Sequence, residues 1–169
     1  MIAARTRRAA LAVAGLLVGH AAQGGILDSP PPRFGTVDGQ VVFRMGPVLF
    51  QPGVADTIIT CTNVDEVQAR VALEVFDEED LAVGISPDAS VPASGGSVTF
   101  ATSADAIRPD AVVVVEALAP IEHGKARISA TTAKLSCFAY HQIRDQIGGV
   151  REQPLELIKK VSPPSASAR

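Results

Sequence analysis

Short runs of β-branched, aromatic and aliphatic residues, separated by turn-forming residues, follow one another from Gln40 to His141. The clearest run is Val67–Phe76, in which Val71, Leu73 and Val75 alternate with charged or small residues. This period of two is the signature of a half-buried strand. Such runs, spaced by roughly ten residues and with little helical periodicity, are typical of antiparallel sandwiches and barrels. We therefore predict an all-β, antiparallel β-sandwich of about seven to nine strands. The remaining predicted strands are 41–43, 48–50, 57–63, 81–85, 97–102, 111–118, 125–131 and 134–140.

Gly46–Pro47 interrupts the first part of this pattern, shortly after Phe43. Because proline cannot donate a hydrogen bond to a ladder, we predict an edge strand at this position. The apolar residues that follow it, Val48, Leu49 and Phe50, allow two interpretations. They complete the core, or they form an edge that accepts a strand from a partner protein through main-chain hydrogen bonds.

The beginning of the chain has the organisation of a secretory signal peptide. A cationic Arg5–Arg8 segment precedes the uncharged apolar run Ala9–Val18, and small residues follow up to Ala22–Gly24. The apolar run is shorter than the roughly 20 residues that a membrane-spanning helix needs, which disfavours a retained membrane anchor. We therefore predict a signal peptide over residues 1–24 and a secreted or periplasmic mature protein. The general and the twin-arginine export routes both remain open.

Cleavage of residues 1–24 changes the formal net charge from −3 to −6, because three of the fifteen Lys and Arg residues and none of the eighteen Asp and Glu residues lie there. A mildly acidic chain without a basic cluster is a poor nucleic-acid binder, since phosphate contacts require grouped Lys and Arg. We expect no nucleic-acid partner and no membrane span in the mature form. The mature chain divides into a flexible N-terminal segment (25–39), a sandwich domain (40–160) and a disordered tail (161–169), which is rich in Pro, Ser and Ala.

The segment Pro154–Ile158 fits either one last strand or a short helix. Leu155 and Leu157 alternate with charged or polar neighbours, which favours a strand. Pro154 would also suit the first position of a helix, because its missing N–H has no partner there in any case. We favour the strand.

Cys61 and Cys137 are the two cysteines of the chain. In an oxidising compartment, two cysteines in strand-like runs favour a disulfide. A zinc site would need four ligands, and the mature chain adds His123 and His141 without the short ligand spacings that mark such sites. We predict a disulfide between Cys61 and Cys137. A free thiol pair, a metal site and a catalytic cysteine remain as alternatives.

Three stretches, CTNVDEVQARVALEVFDEE, SGGSVTFAT and GKARISATTAKLSCFAY, resemble a loose group of small exported bacterial proteins. In that group a CTN-type strand, a VEVFD-type strand, a VTF strand and a closing strand with a second Cys follow one another. The resemblance implies a β-sandwich and, more widely, an immunoglobulin-like one, and it implies no activity. The chain departs from immunoglobulin domains in having no Trp, and in having Leu135 where a Tyr stands two residues before the second Cys. This leaves the strand order open.

Few residues suggest a chemical site. The acidic loop Asp77–Asp80 could bind a hard cation such as Ca²⁺ through its carboxylates, or it is a solvated hairpin turn. Glu122–Gly124 could be half of a metal or acid–base site, or a turn into the next strand. Ser94–Ser97 lacks the G-x-S-x-G pattern of a nucleophile elbow. Since no nucleophile, base and oxyanion donor follow in a recognisable order, we predict no enzymatic activity and no cofactor.

The leading functional hypothesis is therefore a non-enzymatic exported module that binds a protein or a glycan, or that helps to build a surface assembly. The alternative is a periplasmic ion- or ligand-binding protein that uses the acidic loop 77–80 and His123. A small hydrolase, or an inhibitor of one, is a third hypothesis. The low aromatic content, with no Trp and one Tyr, disfavours sugar binding and a large aromatic interface.

Overall fold

The computed structural model describes residues 29–104, 112–115 and 119–159. These residues form thirteen β-strands and no helix, which confirms the all-β prediction. The strands are β1 Arg33–Phe34, β2 Val37–Asp38, β3 Gln40–Phe50, β4 Ala55–Asn63, β5 Ala69–Phe76, β6 Ala82–Ile85, β7 Ala89–Val91, β8 Ser97–Ala101, β9 Val112–Val114, β10 Ile121–Ala130, β11 Leu135–Arg144, β12 Val150–Leu155 and β13 Leu157–Lys159. Several strands of two to four residues raise the count above the expected one. The predicted signal peptide (1–24) and disordered tail (161–169) lie outside the described residues.

Two sheets pack around one apolar core. Sheet I has the strand order β13-β3-β10-β5-β6, with β7 also paired to β5, and sheet II has the order β12-β11-β4-β8-β9. Neighbouring strands are antiparallel except β8 and β9, which run parallel. Val48, Leu73 and Ile128 of sheet I meet Ile59 and Phe100 of sheet II in this core, and all five are fully buried. The predicted antiparallel β-sandwich is therefore confirmed.

β3 differs from the predicted edge strand. It continues through Gly46–Pro47, whose peptide bond is cis, as one strand of eleven residues. β10 pairs with it on one side, and β13 pairs with its residues Phe43–Met45 on the other. The prediction of an edge strand was wrong for Phe43–Met45, because β13, which comes from the far end of the chain, pairs with these residues.

Cys61 and Cys137 form a disulfide between neighbouring strands of sheet II. They are directly opposite each other on β4 and β11, with their Cα atoms 4.1 Å apart. In immunoglobulin domains the conserved bridge joins the two sheets instead. The sequence resemblance to immunoglobulin-like sandwiches therefore does not extend to the position of the bridge.

The N-terminal segment is ordered from Ser29 onward, although the sequence predicts a flexible segment over 25–39. β1 and β2 form a small hairpin that turns at Gly35, which has a φ of 67° and so adopts a conformation that favours glycine. Phe34 of this hairpin is buried, with 2% of its surface exposed. Aromatic burial of this kind anchors the segment against the outer face of sheet I.

The C-terminal strands close one side of the sandwich. β12 pairs with β11 in sheet II, and after Glu156 the chain crosses to sheet I, where β13 pairs with β3. The sequence predicts one strand over Pro154–Ile158, and the structure has extended chain here rather than a helix, divided at Glu156 into the end of β12 and the start of β13. Pro154 is tolerated because β12 is an edge strand of its sheet. On the opposite side of the sandwich, β6 ends sheet I and β9 ends sheet II.

Candidate functional site

The acidic loop Asp77–Asp80 connects β5 to β6 as a tight turn. One carboxylate oxygen of Asp77 accepts hydrogen bonds from the backbone N–H groups of Glu79 and Leu81 at 3.1 and 2.8 Å. The backbone N–H of Asp77 also donates to the carbonyl oxygen of Leu81 at 3.0 Å. Asp77 therefore shapes the turn, as aspartate side chains commonly do by bonding to the backbone a few residues later.

A cavity of about 350 Å³ lies between this turn and the start of β10. Acidic and apolar residues line it. The carboxylates belong to Asp77, Glu78, Glu79 and Glu122, and the apolar lining to Val83, Ala119, Pro120 and Ile121. The sequence separates the two acidic groups by more than forty residues, and the pairing of β5 with β10 brings them together.

Local pairing neutralises part of this charge. Lys125 Nζ is 2.7 Å from a carboxylate oxygen of Asp80, which removes Asp80 from the group that is open to a partner. Gln51 Nε2 donates a weak hydrogen bond of 3.5 Å to Glu122. Glu78 and Glu79 are exposed, so the rim of the cavity keeps an excess of negative charge at neutral pH.

The geometry does not assemble a metal centre in the described ranges. Within residues 29–104, 112–115 and 119–159, no three His, Cys, Asp or Glu side chains converge closely enough to hold a metal ion. Calcium takes six to eight oxygen ligands, and one carboxylate oxygen of Asp77 is already engaged with the backbone. The acidic loop therefore resembles a charged rim more than an ion cage.

β6 borders this cavity and is an edge strand of sheet I. Among the described residues β6 pairs with β5 alone, through Ala82–Ile85. The side chains of Leu81 and Ile85 are 56% and 58% exposed, so this edge carries large apolar groups in water. A second cavity of about 480 Å³, lined by Ile85, Ser86, Pro87 and Val114, lies where β6 approaches β9. This side of the sandwich thus has an edge strand between two cavities, and the outer side of that strand has no partner among the described residues.

The partner edge that the sequence predicts, Val48, Leu49 and Phe50, is not available in the structure. Val48 is fully buried, and Leu49 and Phe50 are half-buried. Both backbone groups of Leu49 bond to the hydroxyl of Thr57, its N–H at 2.8 Å and its carbonyl oxygen at 2.9 Å. Since a side chain of sheet II already takes these groups, the structure supports the first interpretation, that these residues complete the core.

The histidines His123 and His141 lie in different surroundings. His141 is buried, and its Nε2 donates to the carbonyl oxygen of Pro47 at 3.0 Å. Burial lowers the pKa of His141 from its usual 6.5, and the hydrogen bond to Pro47 acts in the opposite direction. His123 is exposed on β10, beside Glu122. His141 therefore has a structural role in the core, away from the acidic cavity.

A third cavity, which the sequence did not indicate, lies on the outer face of sheet II. It measures about 420 Å³ and is lined by Phe138, Ala139, Tyr140, Glu152, Pro154 and Leu155. The rings of Phe138 and Tyr140 are stacked, with centroids 6.3 Å apart, and Phe138 is 51% exposed. Alternation along β11 places both rings on this face, and that spacing was visible in the sequence. The pairing of β12 with β11, which completes the cavity, was not.

Comparison of the chain with protein-family models, curated proteins and solved structures gives no match. In the part of the chain that the structure describes, there is no helix of the length and apolar character needed to cross a membrane.

Proposed function

We propose that the chain is a non-enzymatic, exported β-sandwich module that binds another protein along edge strand β6. The observation that carries the proposal is the combination of an apolar edge strand, whose outer side has no partner among the described residues, with an acidic cavity beside it. Soluble proteins normally protect an edge of this kind with charge, proline or a covering segment. Export is inferred from the N-terminal pattern of residues 1–24.

Main-chain pairing would supply the affinity of this interaction. Ser86 N–H donates to the carbonyl oxygen of Leu73 at 2.8 Å, so it points toward β5. Backbone groups alternate in direction along a strand, and the N–H of Ile85 therefore points away from β5, toward a partner strand. An extended segment that pairs with β6 would add one strand to sheet I, which is the usual mode of strand addition.

The charge around β6 selects the kind of partner. Glu78, Glu79 and Glu122 line the neighbouring cavity without a lysine or arginine that pairs with them in the described residues. A partner segment with lysine or arginine at alternate positions would place positive charges against this rim. Complementary charge of this kind mainly increases the association rate and the specificity.

A designed peptide with alternating Lys and Val tests this surface. We expect the mature protein to bind the labelled peptide in fluorescence anisotropy, and the same peptide with Glu in place of Lys to bind at least about tenfold more weakly. Ile85→Pro should abolish binding, because it removes the outward N–H while the bonds to β5 remain. Ile85→Thr is the matched control, since it keeps that N–H, and it should bind like the wild type.

Equal binding of both peptides, or binding that survives Ile85→Pro, would contradict strand addition at β6. The ion-binding alternative gives a different result. If the acidic loop held Ca²⁺, millimolar Ca²⁺ would raise the Tm of the wild type and leave that of Glu78→Gln/Glu79→Gln unchanged, because binding to the native state stabilises it by mass action. We expect no change in Tm for either protein.

A further inference from the structure

The outer face of sheet I contains an ion pair that is almost completely buried. Arg127 and Glu74 are on neighbouring strands, β10 and β5, directly opposite each other. Arg127 Nε and Nη2 donate to the two carboxylate oxygens of Glu74 at 2.6 and 2.8 Å. Their side chains are 2% and 7% exposed. This two-pronged contact fixes the plane of the guanidinium group and leaves its remaining N–H groups pointing outward.

Backbone carbonyl oxygens of the N-terminal segment accept hydrogen bonds from these remaining N–H groups. Arg127 Nη1 donates to the carbonyl oxygen of Ser29 at 2.7 Å, and Nη2 donates to that of Pro30 at 3.0 Å. The three prolines 30–32 hold this stretch extended, because a residue that precedes a proline avoids the helical conformation. Extended proline-rich segments present their carbonyl groups to solvent, and donors on a receptor can therefore reach them.

An aromatic contact completes the recognition of the segment. Phe34 is 2% exposed, and the guanidinium of Arg70 lies over its ring at 5.8 Å from the centroid. Asp88 forms an ion pair with Arg70 and so fixes it in place. Arg127 in turn lies over the ring of Phe76 at 5.4 Å. Hydrogen bonds to main-chain groups and contacts with aromatic rings are two of the means by which protein surfaces bind extended peptides.

We propose that this face is a binding site for the segment Ser29–Phe34, and that the same segment of a second copy of the chain can occupy it. The site takes main-chain carbonyl groups and one aromatic ring, both of which every copy carries. The segment is hereafter called the strap. When a strap leaves its own domain, it can bind the equivalent face of another copy, and the two copies form a dimer by exchange.

Desolvation of the ion pair offsets part of the stabilisation that the contacts of the strap contribute. Covering Arg127 and Glu74 removes two charges from water, and the desolvation of a buried ion pair opposes much of its attraction. Water that returns to the pair when the strap leaves recovers this hydration. The strap contributes carbonyl acceptors to Arg127, and Phe34 is its buried aromatic side chain. Phe34 is therefore the residue whose removal opens the site.

Gly39 supplies a second, independent means of disturbing the site. A Cβ atom at this position would lie 2.5 Å from the carbonyl oxygen of Pro32 and 2.7 Å from a ring carbon of Phe34. Gly39→Ala therefore prevents any strap, its own or that of another copy, from binding this face. The strap of that variant is unchanged and can bind elsewhere.

Mixing two variants tests the exchange. Phe34→Ala has an open site and a poor strap, whereas Gly39→Ala has an intact strap and a blocked site. We expect each mature full-length variant to be a monomer in sedimentation velocity. An equimolar mixture should form a 1:1 heterodimer, with association at least about tenfold tighter than the self-association of either variant. A mixture that stays monomeric would overturn the proposal.

Substitutions in the strap of the Gly39→Ala copy serve as controls, because they do not change the open site of the Phe34→Ala copy. Pro31→Gly/Pro32→Gly in that copy should weaken the heterodimer several-fold, since a flexible strap loses more entropy on binding. A heterodimer that is unaffected by these changes would show that the copies associate at another surface, which also overturns the proposal.

Discussion

His141 illustrates how the surroundings of a residue decide its role. The sequence allowed a metal ligand or a catalytic partner of Cys137, and the structure places His141 in the core with its Nε2 donating to Pro47 at 3.0 Å. Cys137 is engaged in the disulfide. Burial opposes the charged imidazolium, and it therefore lowers the pKa of His141.

The lowered pKa of His141 predicts a loss of stability in weak acid. The unfolded chain binds a proton near pH 6.5, whereas the folded chain binds it at a lower pH. The stabilisation is therefore fully present above pH 6.5 and decreases as the pH falls below that value. His141→Gln keeps a donor for Pro47 and does not titrate, so the Tm of the wild type should fall more than that of the variant between pH 7.5 and pH 5.5. If the Tm of the wild type and that of His141→Gln fell by the same amount, the pH dependence would come from other groups.

The role of strand β3, like that of His141, is decided by its surroundings in the folded chain. Its apolar residues around Pro47 were compatible with a free edge or with the core. Val48 is fully buried, and both backbone groups of Leu49 are bonded to Thr57 across the sandwich. The strand that covers β3 on its other side, β13, is more than one hundred residues away in sequence.

Val48→Lys should therefore unfold or strongly destabilise the protein. Burying an ammonium group without a partner in the core costs at least about 3 kcal/mol. Ile158→Lys is the matched control, because this branched apolar residue is 66% exposed on β13 and its substitution should change stability by less than about 0.5 kcal/mol. Urea denaturation measures both. A folded Val48→Lys variant of normal stability would mean that Val48 faces solvent after all.

The disulfide links two distant parts of the chain and so affects the stability of the whole domain. Cys61 and Cys137 are 76 residues apart in sequence, and the strands between them contribute to both sheets. Closing so long a loop restricts the unfolded chain much more than the folded one.

Removal of the disulfide should lower the stability of the entire domain without changing its fold. Cys61→Ala/Cys137→Ala should lose about 4.5 kcal/mol of unfolding free energy in the chain-entropy model and keep the far-ultraviolet circular dichroism of a β-protein. Thiol labelling of the exported wild-type protein, denatured without reductant, should detect no free thiol. Two labelled cysteines would contradict the bridge.

The period-two pattern, the turn residues and the two cysteines were sufficient to predict an all-β antiparallel sandwich with a disulfide between Cys61 and Cys137. These features are local, or they follow from composition and compartment. The extended conformation around Leu155 and Leu157 was also predictable, because their alternation is a local signal, but the break at Glu156 and the change of sheet were not. The acidic loop was visible as a run of four carboxylates.

Tertiary structure decided which strand is an edge and which residues share a surface. Pairing partners come from distant parts of the chain, and no local pattern records that β13 covers β3 or that β6 remains open. From the sequence alone, the charged residues Arg127 and Glu74 would be expected on the exposed face of two alternating strands. The strap at Ser29–Phe34 buries them, because a segment outside the strand pattern packs on that face. Burial depends on what lies across a sheet, and that is a property of the folded chain as a whole.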